Sequence, residues 1–82
     1  MIKVVLFASV KEAVGVPSIE VEPKGGETVV DIVEQLSKRG ESWRSALTAE
    51  NLLFAVNQTL VSGSHPVDDG DEVAVLPPVT GG

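Results

Sequence analysis

At 82 residues the chain makes one small domain, near the size at which a single core suffices, and its 43% apolar content excludes a disordered segment. It has no cysteine, which excludes a disulfide framework, a thiolate metal site and any sulfur chemistry that uses a side-chain thiol. Twelve acidic residues against six basic ones give a formal charge of −6, which excludes the basic stripe a nucleic-acid binder needs and favours protein partners.

The opening stretch, IKVVLFASV, alternates as a strand. Ile2, Val4 and Leu6 share one face, and Lys3, Val5 and Phe7 share the other. Lys3 marks the second face as outward, which leaves Val5 and Phe7 there to be explained. The β-branched composition of this start favours a strand over a signal peptide. No apolar run approaches the ~20 residues that span a bilayer. The expected location is the cytoplasm, with no membrane partner.

KEAVGV is short and helix-prone, and Gly15 ends it. SIEVEP alternates again, with Ile19 and Val21 opposed to Glu20 and Glu22, and Pro23 closes the strand. A hairpin-like start joined by a short helical connection follows.

The segment KGGETVVDIVEQLSKRG carries the clearest helix, expected from Val29 to Arg39. Thr28 caps it and Asp31 stands three positions later, as in a capping box. Val29, Ile32, Val33 and Leu36 form one apolar stripe. Lys38 and Arg39 in the last turn suit the helix dipole, and Gly40 is expected to supply a left-handed stop.

SWRSAL reads as a short helical turn carrying Trp43 and Leu47, with Trp43 a core or subunit contact. NLLFAVN reads as a buried strand and QTLVSG as a brief edge strand. In HPVDDGDEVAVLPP a turn rich in Asp and Gly leads into a last strand, Glu72 to Leu76. Val73 and Val75 are expected to face inward, and Glu72, Ala74 and Leu76 outward.

The order β-β-α-β-β, with small extra turns, predicts an α+β fold with a mixed four- to five-stranded sheet and one main helix on one face. The first and last strands can sit centrally and pair in parallel if that helix makes the crossover. This is the β-grasp, or ubiquitin-like, architecture, over residues 1–76. Its uncovered sheet face would expose Phe7 and Leu76 beside each other.

Several features invite chemistry and are better explained without it. His65 precedes Pro66 in a loop, with no serine–acid constellation around it. The acids Asp68, Asp69, Asp71 and Glu72 lack EF-hand spacing, and a turn with Gly70 at its special backbone position explains them without a metal. NQT at residues 57–59 is a chance glycosylation match, and KGGE lacks the lysine and serine of a phosphate-binding loop.

Residues 77–82, PPVTGG, remain as a tail. Pro77 and Pro78 stop the last strand and hold the departing chain extended. Val79 and Thr80 are β-branched and favour the same path. Gly81 and Gly82 then present a carboxylate with no side chains near it, able to pass a channel where any Cβ would collide. The logic is that of a group carrier with its reactive atom at the end of a stiff arm. Because a carboxylate is inert until activated, a partner must supply energy, and adenylation is the expected route.

MIKVVLFASVKEAVG, FAVNQTLVSGSHPVDDGDEVAVLPPVTGG and the overall length resemble the family of small subunits of molybdopterin synthase. The resemblance spans essentially the whole chain, and AVNQ, DGDEVA and PPVTGG are its most specific parts. It implies that Gly82 is adenylated by an ATP-dependent enzyme resembling ubiquitin-activating enzymes and then converted to a thiocarboxylate. It implies that the tail enters the large synthase subunit and donates sulfur to cyclic pyranopterin monophosphate, building the dithiolene that later holds molybdenum. It further implies a heterotetramer, two small subunits at opposite ends of a large-subunit dimer, with no cofactor on the small subunit and ATP used by the activating enzyme. The family's apolar docking patch maps onto Phe7, Leu60 and Leu76. Two other readings stay open: a carrier for thiamine or tRNA thiolation or a ubiquitin-like protein modifier, and a plain β-grasp interaction module.

Overall fold

Alternation at period two and an apolar stripe at helical period require a sheet with one face covered, and the computed structural model, which describes residues 1–78, has that layout. The elements in chain order are β1 (Ile2–Leu6), α1 (Ala8–Val14), β2 (Ser18–Val21), α2 (Val29–Ser37), α3 (Glu41–Leu47), β3 (Leu53–Val56), β4 (Thr59–Val61) and β5 (Glu72–Leu76). The five strands form one sheet in the order β2-β1-β5-β3-β4. β1 and β5 pair in parallel at its centre, with Val4 opposite Val73 and Leu6 opposite Val75. All other pairings are antiparallel. The fold class and the central parallel pair are those the sequence predicts.

The core follows from the alternation. Ile2, Val4 and Leu6 of β1, and Val73 and Val75 of β5, are buried against Val29, Ile32, Val33 and Leu36 of α2. Each fully buried aliphatic side chain of this kind contributes about 1.5–3 kcal/mol. Trp43 of α3 is half-buried against the same core, so it is a core residue, and the Arg39 guanidinium lies over its ring at 4.9 Å.

The start of α2 is fully furnished. Thr28 Oγ1 accepts from the Asp31 backbone N–H at 3.3 Å, and the Asp31 carboxylate accepts from the Thr28 N–H at 2.9 Å. This is a complete capping box. The next free N–H groups, of Val29 and Val30, donate to the carbonyls of His65 and Gly63 at 3.0 and 2.9 Å. The loop after β4 is thereby strapped across the helix end. A Cβ on Gly63 would come within 2.3 Å of Val30 Cγ2, so glycine permits this close approach.

The end of α2 differs from expectation. Its last helical residue is Ser37, with Lys38 as the C-cap and Arg39 already beyond it. Gly40, at φ 158° and ψ 175°, is near-extended and serves as the N-cap of α3 rather than as a left-handed stop. The chain closes α2 with tighter bonds, Lys38 N–H to Gln35 O and Arg39 N–H to Leu36 O, and turns directly into α3. Gly15 does end α1 in the left-handed conformation, at φ 84°.

Candidate functional site

The sheet face opposite α2 is built by the outward half of each strand. Register fixes which side chains meet there. Val5 stands opposite Ala74, Ala74 opposite Ala55, and Ala55 opposite Leu60, a row crossing four strands. The next row along begins at Phe7, which follows Leu6 in extended backbone and donates its N–H to the Val75 carbonyl at 3.2 Å. Phe7 therefore stands beside Leu76, and Leu76 is paired with Leu53. At the other end of the same face Lys3 lies between Glu20 and Glu72. The face is thus polar at one end and apolar at the end where β5 leaves the sheet.

The sequence names Phe7, Leu60 and Leu76 as the docking residues. The structure brings Phe7 and Leu76 together and puts Leu60 on the same face at its edge, beyond Ala55. Phe7 is 44% exposed and Leu60 68%, while Leu76 is half-buried. Sequence reasoning missed Leu53, which is 37% exposed and extends the patch from Leu76 onto β3. It sits in a continuous apolar run, LLFAV, where alternation is invisible; its pairing with Leu76 is the signal that assigns it outward. Val5, the apolar residue on the outward face, is accounted for as part of this patch. Exposed apolar side chains gathered on one face of a small domain are what an interaction surface presents.

Pro77 follows Leu76 directly and has no N–H to continue the ladder, so β5 ends there. The two prolines lie against α1 and α3 beside an apolar cleft of about 210 Å³. Val79, Thr80, Gly81 and Gly82, which the sequence names as the inserting tail and its reactive end, lie outside the described residues.

The acidic turn before β5 is a structural clamp. Asp71 accepts from the Asp68 backbone N–H at 2.8 Å and from the Asn57 side-chain amide at 3.0 Å. These two donors, Asp68 first, hold its carboxyl below the usual carboxylate range. Asn57 Oδ1 in turn accepts from the Glu72 N–H at 3.0 Å, tying the β3–β4 turn to the start of β5. Asn57 and Gln58 both have positive φ, 50° and 70°, as a two-residue hairpin turn requires. A second clamp lies before α2, where Glu27 accepts from the N–H groups of Lys24 at 2.7 Å and Gly25 at 2.8 Å. The Lys24 N–H is the chief cause of its lowered pKa. Among the described residues no three His, Asp or Glu side chains gather as metal ligands, and no helix is long and apolar enough to cross a membrane.

Comparison with known proteins fits this geometry. A family model described as the ThiS family matches residues 4–82. The chain is 50% identical over 82 residues to the molybdopterin synthase sulfur carrier subunit of Escherichia coli (strain K12), with 100% of both chains covered. It is 42% identical to the protein of the same name from Haemophilus influenzae, again over 100% of both chains. Its structure resembles that of SAMP1 from Haloferax volcanii, with a TM-score of 0.83 and 25% identity, covering 99% of this chain and 98% of that one.

Proposed function

The chain belongs to the ThiS family, and from that premise we propose that it is the sulfur-carrier subunit of molybdopterin synthase. The observation that carries this reading is full-length identity of 50% to a protein of that name. The apolar open face beside the tail root is what such a carrier needs in order to dock while its end reaches elsewhere.

Gly82 carries the chemistry. Its carboxylate attacks the α-phosphate of ATP in an activating enzyme, releasing pyrophosphate and leaving an acyl adenylate. Sulfide then displaces AMP from the acyl carbon, which leaves a thiocarboxylate at the chain end. The thiocarboxylate is ionised at neutral pH and is a good sulfur nucleophile. A chain without cysteine can still carry sulfur this way. Pro77, Pro78, Val79, Thr80 and Gly81 deliver that end into the large synthase subunit, where sulfur passes to cyclic pyranopterin monophosphate. Phe7, Leu76, Leu53 and Leu60 hold the two subunits together. The assembly is a heterotetramer with one carrier at each end of a large-subunit dimer.

The carrier is not catalytic by itself. It holds no cofactor, ATP belongs to the activating enzyme, and the pterin phosphate belongs to the large subunit. The site of action is the cytoplasm, where that enzyme finds its nucleotide. The test is to incubate the chain with its activating enzyme, ATP and sulfide, and to read its intact mass. A mass gain equal to oxygen replaced by sulfur, followed by pterin conversion once the large subunit is added, supports the reading. A chain that is charged but converts no pterin with that subunit points to another thiolation pathway.

A further inference from the structure

Among the described residues four besides glycines have positive φ: Ala8 at 48°, Asn51 at 63°, Asn57 at 50° and Gln58 at 70°. Asn57 and Gln58 make the hairpin turn between β3 and β4, and asparagine tolerates this region because its short amide bonds to nearby backbone. Ala8 has no such explanation. Its methyl group makes no hydrogen bond, its position is exposed, and the left-handed region is unfavourable to any residue with a Cβ.

The backbone on either side shows what holds it there. Phe7, extended at φ −117° and ψ 150°, donates its N–H to the Val75 carbonyl at 3.2 Å and so ends the ladder between β1 and β5. The Phe7 carbonyl accepts from the N–H groups of Val10 at 3.1 Å and Lys11 at 3.3 Å, which closes the first turn of α1. Val10 is buried in the core, so α1 lies on the covered side of the sheet. Within one residue the chain leaves a strand whose last side chain faces outward and enters a helix on the opposite side. Ala8 is that residue.

We infer that Ala8 is a positioning residue for docking: its left-handed backbone keeps Phe7 in the ladder and the Phe7 ring on the open face beside Leu76. The inference rests on the reading that this face binds the large synthase subunit. Strain of this kind persists only where the surroundings over-determine it, and it gathers at binding sites. Here it abuts the one aromatic residue of the open-face patch, which is 44% exposed. A side chain that refuses the left-handed region must give up either the ladder bond of Phe7 or the first bonds of α1. In both cases the Phe7 ring swings away from Leu76.

Four substitutions at this exposed position test the inference. Ala8→Gly and Ala8→Asn accept the left-handed conformation, whereas Ala8→Val and the milder Ala8→Thr are β-branched and resist it. Each folded variant is read twice: by the nuclear Overhauser effect between the Phe7 ring and the Leu76 methyls, and by calorimetric affinity for purified large subunit. Phe7→Asp is measured alongside.

Glycine and asparagine should keep the ring contact and keep affinity within about twofold, while valine loses the contact and about tenfold in affinity, with threonine between. A role merely as the first residue of α1 predicts a different order, with glycine the worst, because it is the poorest helix former of the four. The inference is overturned if valine and threonine keep both contact and affinity, or if glycine and asparagine lose as much as valine. If Phe7→Asp loses affinity while Ala8→Val keeps it, the Ala8 inference fails and the docking reading stands. If Phe7→Asp binds normally, the docking reading fails and takes the role of Ala8 in docking with it.

Discussion

Single residues in this domain act mainly through where their backbone lets neighbours come. Gly63 lies so close to α2 that its carbonyl accepts the Val30 N–H, and a Cβ there would collide with the stiff Val30 side chain. Gly63→Ala is expected to cost about 1–3 kcal/mol in urea melts, as other insertions into filled space do. Adding Val30→Ala, at an exposed position, should recover most of that loss. Persistence of the full loss in the double variant would show that the collision is not the cause. Glu27 and Asp71 make a different prediction. Both carboxyls are lowered in the fold by backbone N–H donors, so the unfolded chain binds their protons at higher pH than the folded one. Their contribution is present above the ordinary carboxylate range and is lost as pH falls through their lowered folded values. Stability measured between about pH 5 and pH 2 should therefore fall with acid, and less steeply in a Glu27→Gln, Asp71→Asn double variant.

Among the elements, α2 carries the core and should show it. Ile32→Ala and Leu36→Ala are each expected to cost about 2–5 kcal/mol, since both side chains are buried under the sheet. A loss below about 0.5 kcal/mol for both would contradict that packing. The open face is expected to behave oppositely: Leu53→Asp should leave the melt nearly unchanged and weaken large-subunit binding about tenfold. This contrast also marks what could be read in advance. The α2 stripe, its Thr28 cap and the alternation of β1 and β5 are local patterns, so face and partner followed from spacing. Leu53 was hidden because Leu52, Leu53 and Phe54 are all apolar, and only pairing to Leu76 distinguishes outward from inward. The end of α2 was misplaced for a similar reason. Lys38, Arg39 and Gly40 look like a helix ending, but the direct turn into α3 is set by Trp43 and Leu47 packing against the core.

For the whole molecule, the layout separates holding from reacting. One sheet face is buried under helices and supplies stability; the other is apolar at the end where β5 stops; the chemistry is proposed for Gly82, six residues further along the chain than Leu76. Removing Gly82 moves the carboxylate back by about 3.3–3.6 Å along an extended arm. A misplacement near 1 Å can already cost about a hundredfold in rate, so the shortened chain should lose function without losing its fold. The direct measurement is intact mass of full-length and Gly82-deleted chains after incubation with activating enzyme, ATP and sulfide, followed by pterin conversion on adding the large subunit. The full chain should gain the mass of oxygen replaced by sulfur and support conversion, while the deleted chain melts like the full one and does neither. Charging and transfer by the deleted chain at the full-length rate would contradict the assignment of the chemistry to Gly82.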